Sequence, residues 1–411
     1  MHIAHLALLD YRSYAQVDLA FEPGVNVLVG ANGAGKTNLI EAIGYLATLS
    51  SHRVAADLAL IRQGADRAMI RGKVVRGERS QILELEIING KANRSRINRG
   101  APGRAGDILG ILKTVVFAPE DLVLVKGDPS DRRRFLDELT VLMSPRMAAV
   151  FTDYDRIVRQ RSALLKSAMA ARRGGRAADL STLDIWDAKL AETGAQIMAF
   201  REQFTLALAP HVAQAYEQVS DGPCDARISY RGSAEVVLGS AEEVGQADTD
   251  LVRSRTVAEQ EAPLLDALKL VRDKELDRGV CLVGPHRDEL TLELNGLPVK
   301  GYASHGESWS FALALRLGSF ALMTKGPDHS DPAQADLAAH WWTDSAEDTE
   351  PVLILDDVFA ELDGKRRKAL AAVAAGAKQV IITAAVYADI PSELTGTQIH
   401  VAHGTVTRAH T

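Results

Sequence analysis

The first thirty residues alternate apolar and polar positions in the manner of strands. Ile3, Leu6 and Leu8 form one run, Val17, Leu19 and Phe21 a second, and Val25, Val27 and Val29 a third, with Glu22-Pro23-Gly24 as the turn before the last. A Gly-rich loop follows, and from about Gly35 to Leu46 the spacing becomes helical. Residues 67–98 predict short antiparallel strands with Gly72, Gly77 and Gly90 at the turns, and Thr114-Val115-Val116-Phe117 predicts one more strand. From Pro119 to about Ser220 the apolar residues take helical steps: Leu139, Leu142, Met147, Val150, Tyr154, Ile157 and Val158, then Leu183, Trp186, Leu190, Ile197, Phe200 and Phe204. Residues 171–182 read as the loop between two long antiparallel helices. The polar, mostly acidic stretch 234–262 reads as a loop, and 280–300 as strands. Gly306 to Met323 reads as an amphipathic helix. Pro351 then opens a buried strand, followed by a helix near 364–375 and the strand Gln379-Val380-Ile381-Ile382-Thr383.

This pattern divides the chain into three segments: 1–118 as the first part of an α/β lobe, 119–278 as a helical second lobe, and 279–411 as the remainder of the α/β lobe. The middle is too short for a long coiled-coil arm, so a compact helical lobe is expected. Residues 327–350 carry seven acids and no Lys or Arg and read as an insertion.

Composition narrows the classes. A chain of 411 residues with 46% hydrophobic and 25% charged residues is a soluble globular protein, not a disordered one. A net charge of −7 argues against a histone-like basic coat but leaves room for a local basic patch. Two cysteines, Cys224 and Cys281, form no CxxC pair, which excludes a disulfide framework or a structural zinc site and fits a reducing cytoplasm. The start MHIAHLALLDYRSY lacks a basic stretch and meets Asp10 too early for a signal peptide, and no apolar run reaches membrane-spanning length, so a cytoplasmic protein without a membrane span is expected.

The chemistry lies in three segments. Gly30-Ala31-Asn32-Gly33-Ala34-Gly35-Lys36-Thr37 satisfies G-x-x-x-x-G-K-[ST] between a Val-rich strand and a helix. Its glycines let backbone N–H groups surround a β-phosphate at a helix N-terminus, Lys36 reaches the β/γ oxygens, and Thr37 offers a hydroxyl to Mg²⁺. Val352-Leu353-Ile354-Leu355-Asp356-Asp357 is an apolar strand ending in two acids. Adjacent carboxylates at a buried strand end are costly unless a cation or water uses them. Asp356 is placed for the Mg²⁺ shell, and Asp357 to orient or deprotonate an attacking water. The alternative is a strand that simply stops at solvent. Ala303-Ser304-His305-Gly306-Glu307 precedes a helix, where Ser304 reads either as a plain N-cap or as part of a second anion site.

Taken in order, the phosphate loop, Ser-x-Gly-Glu, strand-Asp-Asp and Glu361-Leu362-Asp363 resemble the ATP-binding-cassette ATPase head. The resemblance implies a P-loop α/β fold with a helical second lobe, and two heads joined head to tail by ATP. Ser304, Gly306 and Glu307 of one copy would then cover the triphosphate held at Gly30–Thr37 of the other. Four further segments are similar to the RecF family of bacterial recombination-mediator ATPases: Leu8-Leu9-Asp10-Tyr11-Arg12-Ser13-Tyr14, Phe117-Ala118-Pro119-Glu120-Asp121-Leu122, Gly127-Asp128-Pro129-Ser130-Asp131-Arg132-Arg133-Arg134-Phe135-Leu136-Asp137, and Gly284-Pro285-His286-Arg287-Asp288-Glu289-Leu290. That likeness covers most of the chain. It implies ATP and Mg²⁺ as cofactors, gapped or duplex DNA as ligand, RecR and RecO as partners, and a role in repair of DNA damage, the SOS response and fork restart. Relative to transporter heads, the signature lacks a second glycine, Glu307 replaces a usual Gln, Asp357 replaces a usual Glu, and no switch histidine follows Thr383. Slow, DNA-stimulated hydrolysis used as a switch is the expectation. Gln63 and the Pro119-Glu120 turn both compete for the lobe-bridging position.

Residues 91–104 hold five basic residues and no acid. Arg94, Arg96, Arg99, Arg132 and Arg133 are candidate DNA-backbone contacts; the alternative is a set of solvated charges, or pairing of Arg132–Arg134 with acids of the helical lobe. Residues 156–176 add Arg156, Arg159, Arg161, Lys166, Arg172, Arg173 and Arg176. His286 and Arg287 read equally as contacts to the ATP site or lobe interface and as structural hydrogen-bonding groups, and Arg12 as a possible adenine or phosphate contact. Two rival functions remain: the ATPase subunit of a membrane transporter, and an ATP- and DNA-binding clamp that scarcely turns over.

Overall fold

Strands buried on both faces need unbroken apolar runs, and three segments of this chain supply them. In the computed structural model, which describes residues 1–54, 56–175, 180–220, 224–239, 254–327, 349–402 and 404–408, these runs form the middle of a largely parallel sheet. The elements in chain order are β1 (His2–Tyr11), β2 (Tyr14–Ala20), β3 (Gly24–Val29), α1 (Lys36–Thr48), β4 (Arg67–Arg76), β5 (Arg79–Ile88), β6 (Arg94–Ile97), β7 (Gly103–Arg104) and β8 (Thr114–Phe117). The middle of the chain gives α2 (Leu122–Lys126), α3 (Pro129–Met143), α4 (Met147–Arg173), α5 (Leu183–Val219), β9 (Ala226–Arg231), α6 (Ser233–Leu238) and α7 (Val257–Arg278). The remainder gives β10 (Glu289–Leu294), β11 (Leu297–Pro298), a kinked turn α8 (Val299–Tyr302), α9 (His305–Lys325), β12 (Val352–Asp356), α10 (Gly364–Gly376), β13 (Gln379–Ala384), β14 (Thr397–Ala402) and β15 (Thr405–Arg408).

The parallel sheet has the order β15-β14-β3-β13-β12-β8, so both ends of the chain build it. An antiparallel sheet, β2-β1-β4-β5-β6-β7, faces it. The helix α1 packs against strands of both sheets, which is why Leu39 to Ala47 are all buried. The buried Gln379 amide ties the sheets together: its oxygen accepts from the Ile3 N–H at 2.8 Å, and its nitrogen donates to the carbonyls of Ile3 at 2.9 Å and Glu22 at 3.0 Å. Gly72 is not a turn but a mid-strand residue of β4. A Cβ there would stand 2.8 Å from Leu46 Cδ1, so the glycine makes room for α1.

In the helical region, α4 and α5 run side by side, with Arg161 against Asp187 and Gly194 against Tyr154. Residues 176–179 of the connecting stretch lie outside the described residues. The stretch 234–262 is not simply a loop: α6 occupies its start, and α7 begins at Val257 behind a Thr256–Glu259 capping box, with Leu264, Leu268 and Val271 turned into the core. Residues 240–253 lie outside the described residues. In 280–300 only β10 and β11 are strands, and β10 pairs antiparallel with β9. α9 is buried on almost every side from Ser308 to Ser319, because α5, α2 and β8 enclose it, so it is a core helix and not an amphipathic one. Of the acidic stretch 327–350, residues 328–348 lie outside the described residues.

Candidate functional site

The phosphate loop leaves the C-terminal end of β3, beside the ends of β13 and β14. The β14 backbone passes so close that a Cβ on Gly30 would stand 2.1 Å from the Val401 carbonyl oxygen. Gly35 adopts φ 110° with the Tyr14 ring against it, a position where a side chain would be both strained and crowded. Ala31, Asn32 and Gly33 form the exposed rim of the loop, and Ala34 lies half-buried. Lys36 is 3% exposed and folds beneath the loop, where Nζ donates to the carbonyls of Gly30 at 2.8 Å and Ala31 at 3.4 Å. Its ammonium lies 3.8 Å from Asp357 Oδ2.

β12 delivers the two carboxylates to the same edge. Asp356 is buried, and its Oδ1 accepts from Thr383 Oγ1 at 2.5 Å and from Thr37 Oγ1 at 3.2 Å. Burial, helped by the field of Asp357, pushes its carboxyl up to about 6 despite those bonds. Asp357 leaves the strand in the left-handed region, φ 50°, and turns a 37% exposed side chain outward. Its N–H donates to Thr383 Oγ1 at 2.9 Å, so one hydroxyl donates to the first acid and orients the second. Sequence reasoning passed over Thr383; its only signal was a hydroxyl at the end of an otherwise apolar strand. The hydroxyl of Thr37 and a desolvated carboxylate side by side are the oxygen pair that a small hard cation takes, so these residues fit the expected Mg²⁺.

Glu120 lies near enough to Asp356 to add to that upward push. It sits in the Pro119–Asp121 turn after β8, the strand paired with β12. The next residue, Asp121, receives Arg316 of α9 at 2.5 and 3.1 Å. This turn thus reaches from the carboxylate edge to α9, while Gln63 is exposed in the segment before β4.

Ser304 is the N-cap of α9. Its Oγ accepts from the Glu307 N–H at 3.2 Å, while its own N–H donates to Glu307 Oε2 at 2.7 Å. The bond from the Ser304 backbone holds the Glu307 carboxyl below its ordinary range. Ser304 and Glu307 are exposed, and Gly306 is half-buried with Arg366 against it. Within one chain the structure thus joins Lys36, Thr37, Asp356 and Asp357, while Ser304 and Glu307 face solvent at the start of α9 and bond to each other.

The remaining candidates separate cleanly. Arg12 forks onto Glu41 at 2.8 and 2.6 Å and donates to the Ala59 carbonyl, so it anchors α1. His286 belongs to the helical region, where Nδ1 meets Tyr154 Oη at 2.7 Å. Asp288, one residue past the exposed Arg287, is buried and accepts from the Ser233 N–H and from Tyr230. Arg132 is a correction: it is buried and forks onto Glu289 at 2.8 and 3.1 Å, which leaves no donor face for DNA. Arg133, half-buried, donates one bond, to the Asp288 carbonyl at 2.7 Å. Arg161 is fully buried between Asp187 and Glu275, each at 2.6 Å, and Arg172 pairs with Asp273 and Asp277. Arg94, Arg96 and Arg99 are exposed on β6 and the turn after it, next to Arg67 and Arg71, which pair with Glu86 and Glu84.

Residues 2–392 match the family described as RecF/RecN/SMC N terminal domain. The DNA replication and repair protein RecF of Beutenbergia cavernae is 52% identical over 99% of this chain and 100% of its own length. Its counterpart in Frankia alni is 53% identical, with both chains covered in full. A solved structure of the recombination mediator protein RecF-ATP in the RecFOR pathway superposes with a TM-score of 0.81 at 24% identity, covering 100% of this chain and 98% of that one. A Pyrococcus furiosus Smc head domain gives 0.50 at 15% identity, covering 99% and 96%. The fold and the joined P-loop and carboxylate edge define a P-loop ATPase head of the ABC/SMC type. Among such heads, the match along the whole chain is specific: the chain belongs to the RecF family. Among the described residues no helix is long and apolar enough to cross a membrane.

Proposed function

We propose that this chain is an ATP-dependent DNA-binding protein of recombinational repair and replication-fork restart, and that ATP joins two copies head to tail. The observation that carries the reading is that the Lys36–Asp357 edge and the exposed Ser304 cap lie on separate elements with no hydrogen bond between them among the described residues, which supports one site completed by two copies. Lys36, Thr37, Asp356 and Asp357 form one edge, and Ser304 with Gly306 caps a helix elsewhere on the surface. A triphosphate at Gly30–Thr37 draws Lys36 from its carbonyl partners to the β/γ oxygens. Thr37 and Asp356 would hold Mg²⁺, which would supply positive charge to the triphosphate. Asp357, exposed and oriented through Thr383, positions the attacking water; hydrolysis is slow and DNA-stimulated, and releases the dimer. Arg94, Arg96 and Arg99 bind phosphates of gapped or duplex DNA without reading sequence. The family's relatives, placed in the RecFOR pathway, make RecR and RecO the expected partners and recombinase loading the outcome. The basic face of β6 favours this reading over a transporter subunit.

Ser304→Arg tests it. The variant is expected to bind ATP as the wild type does, by nucleotide fluorescence, and to remain monomeric by light scattering. Dimerisation at the wild-type ATP concentration would contradict the proposal.

A further inference from the structure

Lys365-Arg366-Arg367 follow Gly364 in the first turn of α10, just after the turn Glu361-Leu362-Asp363. Three cations in the first turn of a helix oppose its dipole, so their placement calls for partners. Each has one. Lys365 Nζ donates to the Ser220 carbonyl at the end of α5. Arg367 donates to the carbonyls of Phe359 at 2.8 Å and Leu362 at 3.3 Å, which holds the turn itself. Arg366, its side chain 13% exposed, pairs with Asp363 and donates through Nε to Ser310 Oγ of α9 at 2.7 Å. Its Nη2 lies 3.2 Å from where a Cβ on Gly306 would stand, so the guanidinium rests on the first turn of α9.

A continuous path results: Asp357, the Val358–Ala360 turn, Asp363, Arg366, Ser310 and the Ser304 cap. We propose that Arg366 is a positioning residue that locks the start of α9 to the turn after the carboxylate strand. The chain's own nucleotide edge and the segment it offers to a second copy then move as one body. This rests on the head-to-tail reading above, and it makes the two ATP sites of a dimer interdependent.

The test uses the full-length chain with Arg366→Ala, Arg366→Lys and Ser310→Ala. Arg366→Ala is expected to keep monomer ATP affinity within about twofold and to weaken ATP-driven dimerisation about tenfold or more, the scale of one lost charge-assisted hydrogen bond. Arg366→Lys keeps the charge but not the fork, and is expected to fall between the two. Ser310→Ala is expected to weaken dimerisation less, and to add nothing in the Arg366→Ala background. Hydrogen exchange on the monomer gives an arm independent of assembly: ATP is expected to change exchange at 304–310 in the wild type and not in Arg366→Ala. Wild-type dimerisation by Arg366→Ala would overturn the lock, as would a loss of ATP affinity and melting temperature in step with dimerisation. A wild type that stays monomeric with ATP would sink the head-to-tail reading alone. ATP-responsive exchange at 304–310 that survives Arg366→Ala, or is absent from the wild type, would then sink the lock.

Discussion

Single side chains carry most of what is unusual here, and His286 gives the sharpest residue-scale prediction. Burial pushes its imidazole down to about 4 from the ordinary 6.5, with the neighbouring Arg287 charge adding to the shift. Between those values the unfolded chain binds a proton that the folded chain refuses. The stabilisation is therefore complete above pH 6.5 and is lost as pH falls toward 4. Melting temperature is expected to drop across that window more steeply for the wild type than for His286→Gln. Asp288, which burial holds above its ordinary range, titrates in the opposite sense, but it is present in both proteins and leaves the comparison intact. Equal slopes would contradict the assignment. Residues of this kind were only half legible in the sequence. The Gly-Pro-His-Arg-Asp segment was visible, but Tyr154 lies 132 positions away from His286, and no local pattern announces that contact. Thr383 was missed for the same reason: its bond to Asp356 spans 27 positions. The strand-loop-helix geometry of the phosphate loop was legible because its eight residues are consecutive.

Among the elements, β6 and α9 show where periodicity succeeds and fails. β6 pairs with β5 so that Arg94 opposes Glu86 and Arg96 opposes Glu84, while Glu86 and Glu84 already pair with Arg67 and Arg71. The β6 arginines therefore project into solvent. Reversing charge at Arg94 and Arg96 is expected to lower DNA affinity and to flatten the dependence of log affinity on log salt by about two units, roughly one per lost phosphate contact. An unchanged slope would remove β6 from the DNA face. The run 91–104 was legible because it lacks acids. The pairing of Arg132 was not, because its acid, Glu289, arrives from a strand more than 150 residues later, whereas Arg134 pairs locally with Asp131. α9 looked amphipathic because Ser308, Ser310 and Ser319 are polar. Packing shows them buried, with Ser319 Oγ donating to the Leu315 carbonyl at 2.6 Å and Ser310 receiving Arg366.

At the scale of the molecule, both ends of the chain meet in one parallel sheet, and this brings Thr37 within 3.2 Å of Asp356 across 319 positions. Assigning both residues to one Mg²⁺ implied that juxtaposition, and the order of motifs agreed with it; no local spacing could place the two strands on either side of β13. The central claim concerns two molecules: ATP held by one copy is covered by the Ser304 segment of another. Sedimentation of the wild type and of Lys36→Met, each with and without ATP, tests it most directly. The account predicts that ATP doubles the mass of the wild type and leaves Lys36→Met single. A wild type that stays single at every concentration, or a Lys36→Met protein that pairs equally well, would contradict it.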